Sequence, residues 1–106
     1  MGFFEFLRQH DINQGIKEYG ATPGALLLDV RTPQEYGAGH IPGSKNVPLQ
    51  NIDKVGAIAE NKDTPLFVYC HSGFRSSQAV DALQDMGFSS VKNLGGIAIY
   101  SGKVEY

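Results

Sequence analysis

Two short, unbroken apolar runs, Ala25-Leu26-Leu27-Leu28-Asp29-Val30 and Pro65-Leu66-Phe67-Val68-Tyr69-Cys70, place the strongest constraint on how this chain folds. Neither alternates apolar with polar residues, so each reads as a strand covered on both faces, the pattern of a parallel sheet. Parallel neighbours need a crossover of a dozen or more residues between them, and the interval here carries helical signals. Thr32-Pro33-Gln34-Glu35 reads as a capping box: Thr32 is the N-cap, Pro33 the first helical position, and Glu35 reaches back. Gly37 and Gly39 end that short helix. Ile52, Val55, Ile58 and Ala59 then recur at helical spacing behind a cap at Asn51.

Ser90-Val91-Lys92-Asn93-Leu94 is a weaker third strand. Before it, Ala79, Leu83 and Met86 form an apolar stripe, while Gln78, Asp81, Gln84 and Asp85 face water. Gly87 suits the left-handed position after that helix, and Phe88 folds back on Leu83 in a Schellman cap. The segment from Phe3 to Tyr19 reads as helical, with breaks at Asn13 and Gly15. Strands alternating with helices imply an α/β domain, with a mainly parallel sheet and helices on both faces. The 106 residues suit one domain, and no repeat, charge run or linker divides them.

Hydrophobic residues make up 42% and charged residues 19%, a balance that excludes a disordered chain. A net charge of −2 gives no electrostatic footprint for nucleic acid or an anionic membrane, so neither partner is expected. The run Met1 to Arg8 lacks a basic leader, and no apolar stretch approaches the ~18 residues of a membrane helix. The expectation is a cytoplasmic protein. Phe3, Phe4 and Phe6 are expected to pack under the sheet. Gly37-Ala38-Gly39-His40-Ile41-Pro42-Gly43 misses the dinucleotide fingerprint, since Pro42 stands where the third glycine belongs; His40 reads as a turn residue.

The chain has one cysteine, Cys70. No internal disulfide is possible, and a reducing compartment suits a free thiol. His10, His40 and His71 show no paired spacing with it, so no metal site is expected. Cys70 closes the second apolar run and opens the polar loop His71-Ser72-Gly73-Phe74-Arg75-Ser76-Ser77. In α/β sheets the loops beyond the carboxyl ends of strands form the binding crevice. A thiol there, at a helix N-terminus, lies near unpaired amides that favour the thiolate. Gly73 permits a tight turn, so the amides of His71 to Ser76 converge on one anionic space. Arg75 adds a fixed charge suited to an oxyanion, and Ser76 and Ser77 add hydroxyls for capping the helix or bonding the sulfur. His71 either favours the thiolate when protonated or points into solvent. The competing reading makes Cys70 a buried core residue, but His, Ser, Gly and Arg within five positions make a poor core. The loop is expected to lie outside the core and to tolerate Cys70→Ala.

Three stretches resemble the rhodanese-like (thiosulfate sulfurtransferase) family, in the family's order and from about Leu26 to Tyr100. They are Leu27-Leu28-Asp29-Val30-Arg31-Thr32-Pro33-Gln34-Glu35-Tyr36 with Gly39-His40-Ile41-Pro42-Gly43-Ser44 and Asn46-Val47-Pro48; Val68-Tyr69-Cys70-His71-Ser72-Gly73-Phe74-Arg75-Ser76; and Val91-Lys92-Asn93-Leu94-Gly95-Gly96. One departure is Tyr100, standing where the family often has tryptophan.

The resemblance implies a three-layer α/β/α domain and a sulfurtransferase in which Cys70 takes the outer sulfur of a donor such as thiosulfate. The resulting persulfide passes that sulfur to cyanide, a thiol or a protein acceptor, with no metal or organic cofactor. His71, Ser72, Gly73, Phe74, Arg75 and Ser76 would form the substrate-binding loop. Asp29 and Arg31 match the family's aspartate-x-arginine strand end: they either brace the crevice or form a structural ion-pair network with Glu35. Two rivals stand beside this reading. A cysteine phosphatase or arsenate reductase also sets a thiolate and an arginine around an anion loop. Its signature has one residue more between them, and no convincing aspartate-bearing loop is found here to protonate a leaving group, with Asp53 and Asp63 left open for that role. A persulfide relay or binding module without turnover would carry the same loop.

Overall fold

The computed structural model describes residues 11–106, which form four strands and the helices that cover them. Strands β1 (Leu26–Asp29), β2 (Lys45–Asn46), β3 (Leu66–Cys70) and β4 (Val91–Gly96) lie in the order β2-β1-β3-β4, every pair parallel. The strand expected over Ser90–Leu94 is β4, and it runs through Gly96, two residues past Leu94. Strand β2 escapes sequence reading because two residues are too few to show a period. The expectations for Phe3, Phe4, Phe6 and His10, and the helical reading before Asp11, lie outside the described residues.

Period-two alternation sorts the strand side chains into two cores. Leu28, Val30, Leu66, Val68 and Cys70 face one side, where Ala79, Leu83 and Phe88 cover them together with Ile52 and Val55. Leu27, Phe67 and Tyr69 face the other, against Ile12, Ile41 and Leu94. The covering elements are α3 (Phe74–Asp85) and a 3₁₀ segment (Leu49–Ala57) on the first face, and α1 (Ile12–Gly20) on the second. The result is the three-layer α/β/α arrangement.

Three local expectations change. The α1 helix runs through Asn13 and Gly15 from its cap Asp11, whose carboxylate accepts from the Asn13 and Gln14 amides. Gly15 is a point of close approach: a Cβ there would sit 2.4 Å from Leu94 Cδ2. Asn13 ties the helix to the chain end, donating to Ile99 O and accepting from Ser101 N. The segment expected to begin at Asn51 begins at Leu49 behind Pro48, is 3₁₀ in type, and kinks at Asn51 itself. Ile58 lies beyond its last residue and is exposed, because the chain has left the helical path that would have turned it inward.

Other expectations hold to the atom. Thr32 Oγ1 accepts from Glu35 N while Glu35 accepts from Thr32 N, completing the capping box of α2 (Pro33–Gly37). At the end of α3 the Phe88 amide donates to Leu83 O and the Gly87 amide to Gln84 O, the two bonds of a Schellman cap. Gly87 has φ +101°, and a Cβ there would come no closer than 3.9 Å to Lys62 Cδ. Gly87→Ala therefore costs backbone strain alone, about 1–2 kcal/mol, read as a lower urea midpoint at unchanged m-value.

Candidate active site

Alternation along β3 aims Cys70 at the α3 face, so its side chain enters beneath the helix that the same loop begins. The chain leaves β3 through His71 and Ser72, turns at Gly73 with φ +101°, and enters α3 at Phe74. Cys70 is 1% exposed and belongs to the apolar core, which corrects the expectation that it lies outside it. The core and loop roles coincide: its Cβ packs with the strands while Sγ meets the loop. Gly73 N donates to Sγ at 3.0 Å, and the thiol donates to Ser76 Oγ at 3.4 Å. Ser76 reaches the sulfur because it stands three residues before Ala79 and seven before Leu83, on the buried stripe of α3.

Burial pushes the Cys70 thiol up, but the hydrogen bond it shares with the Ser76 hydroxyl and those from the amides of Ser76, Gly73 and Ser72 outweigh it, and the net shift is downward. A depressed folded-state value stabilises the fold above the unfolded thiol range of about 8.5. That contribution is lost as pH falls through the folded value.

Strand β4 holds the loop from below. Its register against β3 slips between Val68 and Tyr69, which pair with Asn93 and Gly95, so Leu94 is the extra residue of a bulge. Asn93 Oδ1 accepts from the bulge amide of Gly95 at 2.9 Å and from Ser76 Oγ at 2.8 Å, fixing the hydroxyl that meets the sulfur. Gly96 passes so close to the loop that a Cβ would lie 2.0 Å from His71 O. Asn93, Gly95 and Gly96 are positioning residues to which sequence reading attached no role. Their signal was present, since Asn and paired Gly are poor strand formers that mark bulges and close approaches.

Arg75 is committed elsewhere. Its two terminal nitrogens donate to the two Glu35 oxygens at 2.7 and 3.0 Å. Hydrogen bonding from Arg75, chiefly, with help from Thr32, holds Glu35 down to about 2 against the upward push of its partial burial. Glu35 is thus not part of a network with Asp29 and Arg31. Those two pair with each other: Arg31 Nη2 donates to Asp29 Oδ2 at 2.7 Å and to Gly39 O at 2.8 Å, and both side chains are buried. They brace the turn after α2, because the buried carboxylate and guanidinium satisfy one another without reaching the sulfur.

The side chains of the remaining loop residues point away from the thiol into solvent. His71, Ser72, Phe74 and Ser77 are exposed. Together with Gly95, Gly96, Ala98 and Ile99 they line a largely apolar hollow of ≈560 Å³ beside the loop. The backbone of His71 anchors the loop, its carbonyl accepting from Ala98 N. Tyr100 packs against the α1-side core and donates to Lys103 O. His40 stacks on Tyr36 and pairs its backbone with Glu105, a turn role. Asp63 accepts from Ser89 in the loop before β3, at the opposite end of the strand from Cys70, and Asp53 is exposed in the 3₁₀ segment. Among the described residues no cluster of His, Cys, Asp and Glu is arranged to hold a metal, and no helix is long and apolar enough to cross a membrane.

Comparisons with known proteins agree with this architecture. The profile of the Rhodanese-like domain family matches residues 9–102. Thiosulfate sulfurtransferase PspE of Escherichia coli (strain K12) is 35% identical over 71 residues, 66% of this chain and 68% of that protein. The putative sulfur carrier protein YrkF of Bacillus subtilis (strain 168) is 38% identical over 80 residues, 74% of this chain but 43% of its own length. Among solved structures, a rhodanese with anions from E. coli superposes with a TM-score of 0.72 at 30% identity, covering 76% of this chain and 96% of that one. The chain belongs to the rhodanese-like family, and its α/β/α fold is the family's fold.

Two substitutions check the geometry. Ser76→Ala removes the hydroxyl that favours the thiolate, and the midpoint of the thiolate ultraviolet absorbance moves to higher pH. Gly96→Ala forces the loop off β4, and the urea midpoint falls by more than its unremarkable φ of −127° would cost.

Proposed function

We propose that this protein is a sulfurtransferase that moves a sulfane sulfur from thiosulfate or a related donor to a thiophilic acceptor, cyanide or a thiol, through a persulfide on Cys70. The observation that carries this reading is the sulfur itself, held by the Gly73 amide and the Ser76 hydroxyl at the carboxyl end of β3. The Cys70 thiolate attacks the donor's outer sulfur, the donor's S–S bond breaks, and the leaving group departs with the electron pair. An acceptor nucleophile then attacks the outer sulfur of the persulfide and releases the thiolate. Two displacements replace one, and no oxidant or cofactor enters.

The loop's amides support the negative charge on the transferred sulfur at each stage. The family relationship, and relatives named as thiosulfate sulfurtransferases, support the reaction class. With one cysteine in the chain, the sulfur passes to an external acceptor, and a reducing cytoplasm suits the free thiol. The phosphatase reading is the weaker one, since the loop is one residue shorter than that signature requires and Asp63 lies at the far end of β3, which leaves it only Asp53, exposed in the 3₁₀ segment, as an acid.

Mass spectrometry of the intact protein after incubation with a sulfane donor tests the proposal. The expected result is a gain of one sulfur atom at Cys70, removable by cyanide or a thiol. Cys70→Ala abolishes both the gain and turnover while costing stability on the scale of one buried methylene, about 1 kcal/mol. Undiminished turnover in Cys70→Ala or Cys70→Ser contradicts it. A persulfide that forms without turnover to small acceptors identifies a relay instead.

A further inference from the structure

Arg75 is the cation nearest the loop in sequence, yet both ends of its fork are taken. Glu35 accepts both charge-assisted bonds, and Glu35 is itself pinned: Thr32 N donates to its Oε1 at 2.9 Å and Thr32 Oγ1 at 3.1 Å. The carboxylate therefore stands in a fixed rotamer, held from its own helix and from α3. Arg75 also faces a separate hollow, of ≈250 Å³ among Val30, Thr32, Pro33, Pro48 and Leu49. The larger hollow at the loop has neither Lys nor Arg among its described lining.

We propose that Glu35 sets donor specificity: by occupying Arg75 it turns the site against oxyanion donors such as thiosulfate and toward organic persulfides, whose leaving group is a thiolate. The inference rests on the sulfur-transfer reading and deepens it. With thiosulfate, the Cys70 thiolate attacks the outer sulfur and sulfite leaves as a dianion carrying the electron pair. That departing charge gains little from an arginine already bidentate to a carboxylate. With an organic persulfide R–S–SH, the thiolate attacks the terminal sulfur, R–S⁻ leaves with the electron pair, and the proton travels on the transferred sulfur. This second reaction needs only the loop amides. Glu35 is a positioning residue, acting through Arg75.

The charge of Glu35 can be removed without removing its cap, because glutamine also completes a capping box. The test compares kcat/KM for thiosulfate and for glutathione persulfide, with cyanide as the common acceptor. Wild type favours the persulfide. In Glu35→Gln the thiosulfate-to-persulfide ratio rises by at least about tenfold, the scale of one charge-assisted hydrogen bond. Both rates come from the same variant, so any unfolded fraction cancels in the ratio. In an Arg75→Ala background, Glu35→Gln leaves the ratio unchanged. A ratio unmoved by Glu35→Gln alone, or moved equally without Arg75, overturns the proposal. Mass spectrometry of wild type with glutathione persulfide keeps the two ideas apart: absence of a Cys70 persulfide from either donor defeats the sulfur-transfer reading, whereas a persulfide with an unmoved ratio defeats only the role of Glu35.

Discussion

The contact on which the site depends is backbone against backbone, where Gly96 of β4 passes beneath His71 and Ser72. A Cβ at that position would lie inside the loop's own atoms, 2.0 Å from His71 O and 2.5 Å from Ser72 Cα. Because β4 comes this close, the loop closes over Cys70 and its amides face the sulfur. The bulge at Leu94, two residues earlier, turns Asn93 toward Ser76 and fixes the second group that meets the thiol. Parallel pairing of β3 with β4 thus shapes the loop as much as it completes the sheet.

Electrostatics at the sulfur come from amides and a hydroxyl, while side-chain charge is largely cancelled nearby. Cys70 sits in the core, where burial raises a thiol, and hydrogen bonds bring it back below its ordinary range. The two arginines of the crevice each have a carboxylate partner, Asp29 for Arg31 and Glu35 for Arg75. The Arg31–Asp29 pair is buried and braces the turn through Gly39, whereas the Arg75–Glu35 pair is about one-third exposed and lies between α2 and α3. Such an arrangement suits a single large, polarisable sulfur anion better than a multiply charged oxyanion.

Much of this was legible in the sequence wherever a local rule decides the structure. The capping box at Thr32 and Glu35, the Schellman cap at Gly87 and Phe88, and the two apolar strands follow from short-range steric and hydrogen-bond requirements. Cys70 and its loop stood out because a polar, glycine-containing turn directly follows an apolar strand. What stayed hidden depends on distant partners. Gly15 reads as a helix break until Leu94 is found against it, Glu35 reads as a cap until Arg75, forty residues on, is found bound to it, and Asn93 reads as an ordinary strand residue until Ser76 turns toward it. The kink at Asn51 and the two-residue β2 were too short and too irregular to carry a period.

On the proposed reading, the loop above β3 exists to hold a sulfur anion on Cys70. A crystal structure of the protein after reaction with a sulfane donor tests it most directly. The expected result is a second sulfur bonded to Cys70 Sγ, within hydrogen-bond distance of the loop amides, with the Gly73 amide still on Sγ. An unmodified Cys70, or an outer sulfur turned away from the loop amides, would contradict it.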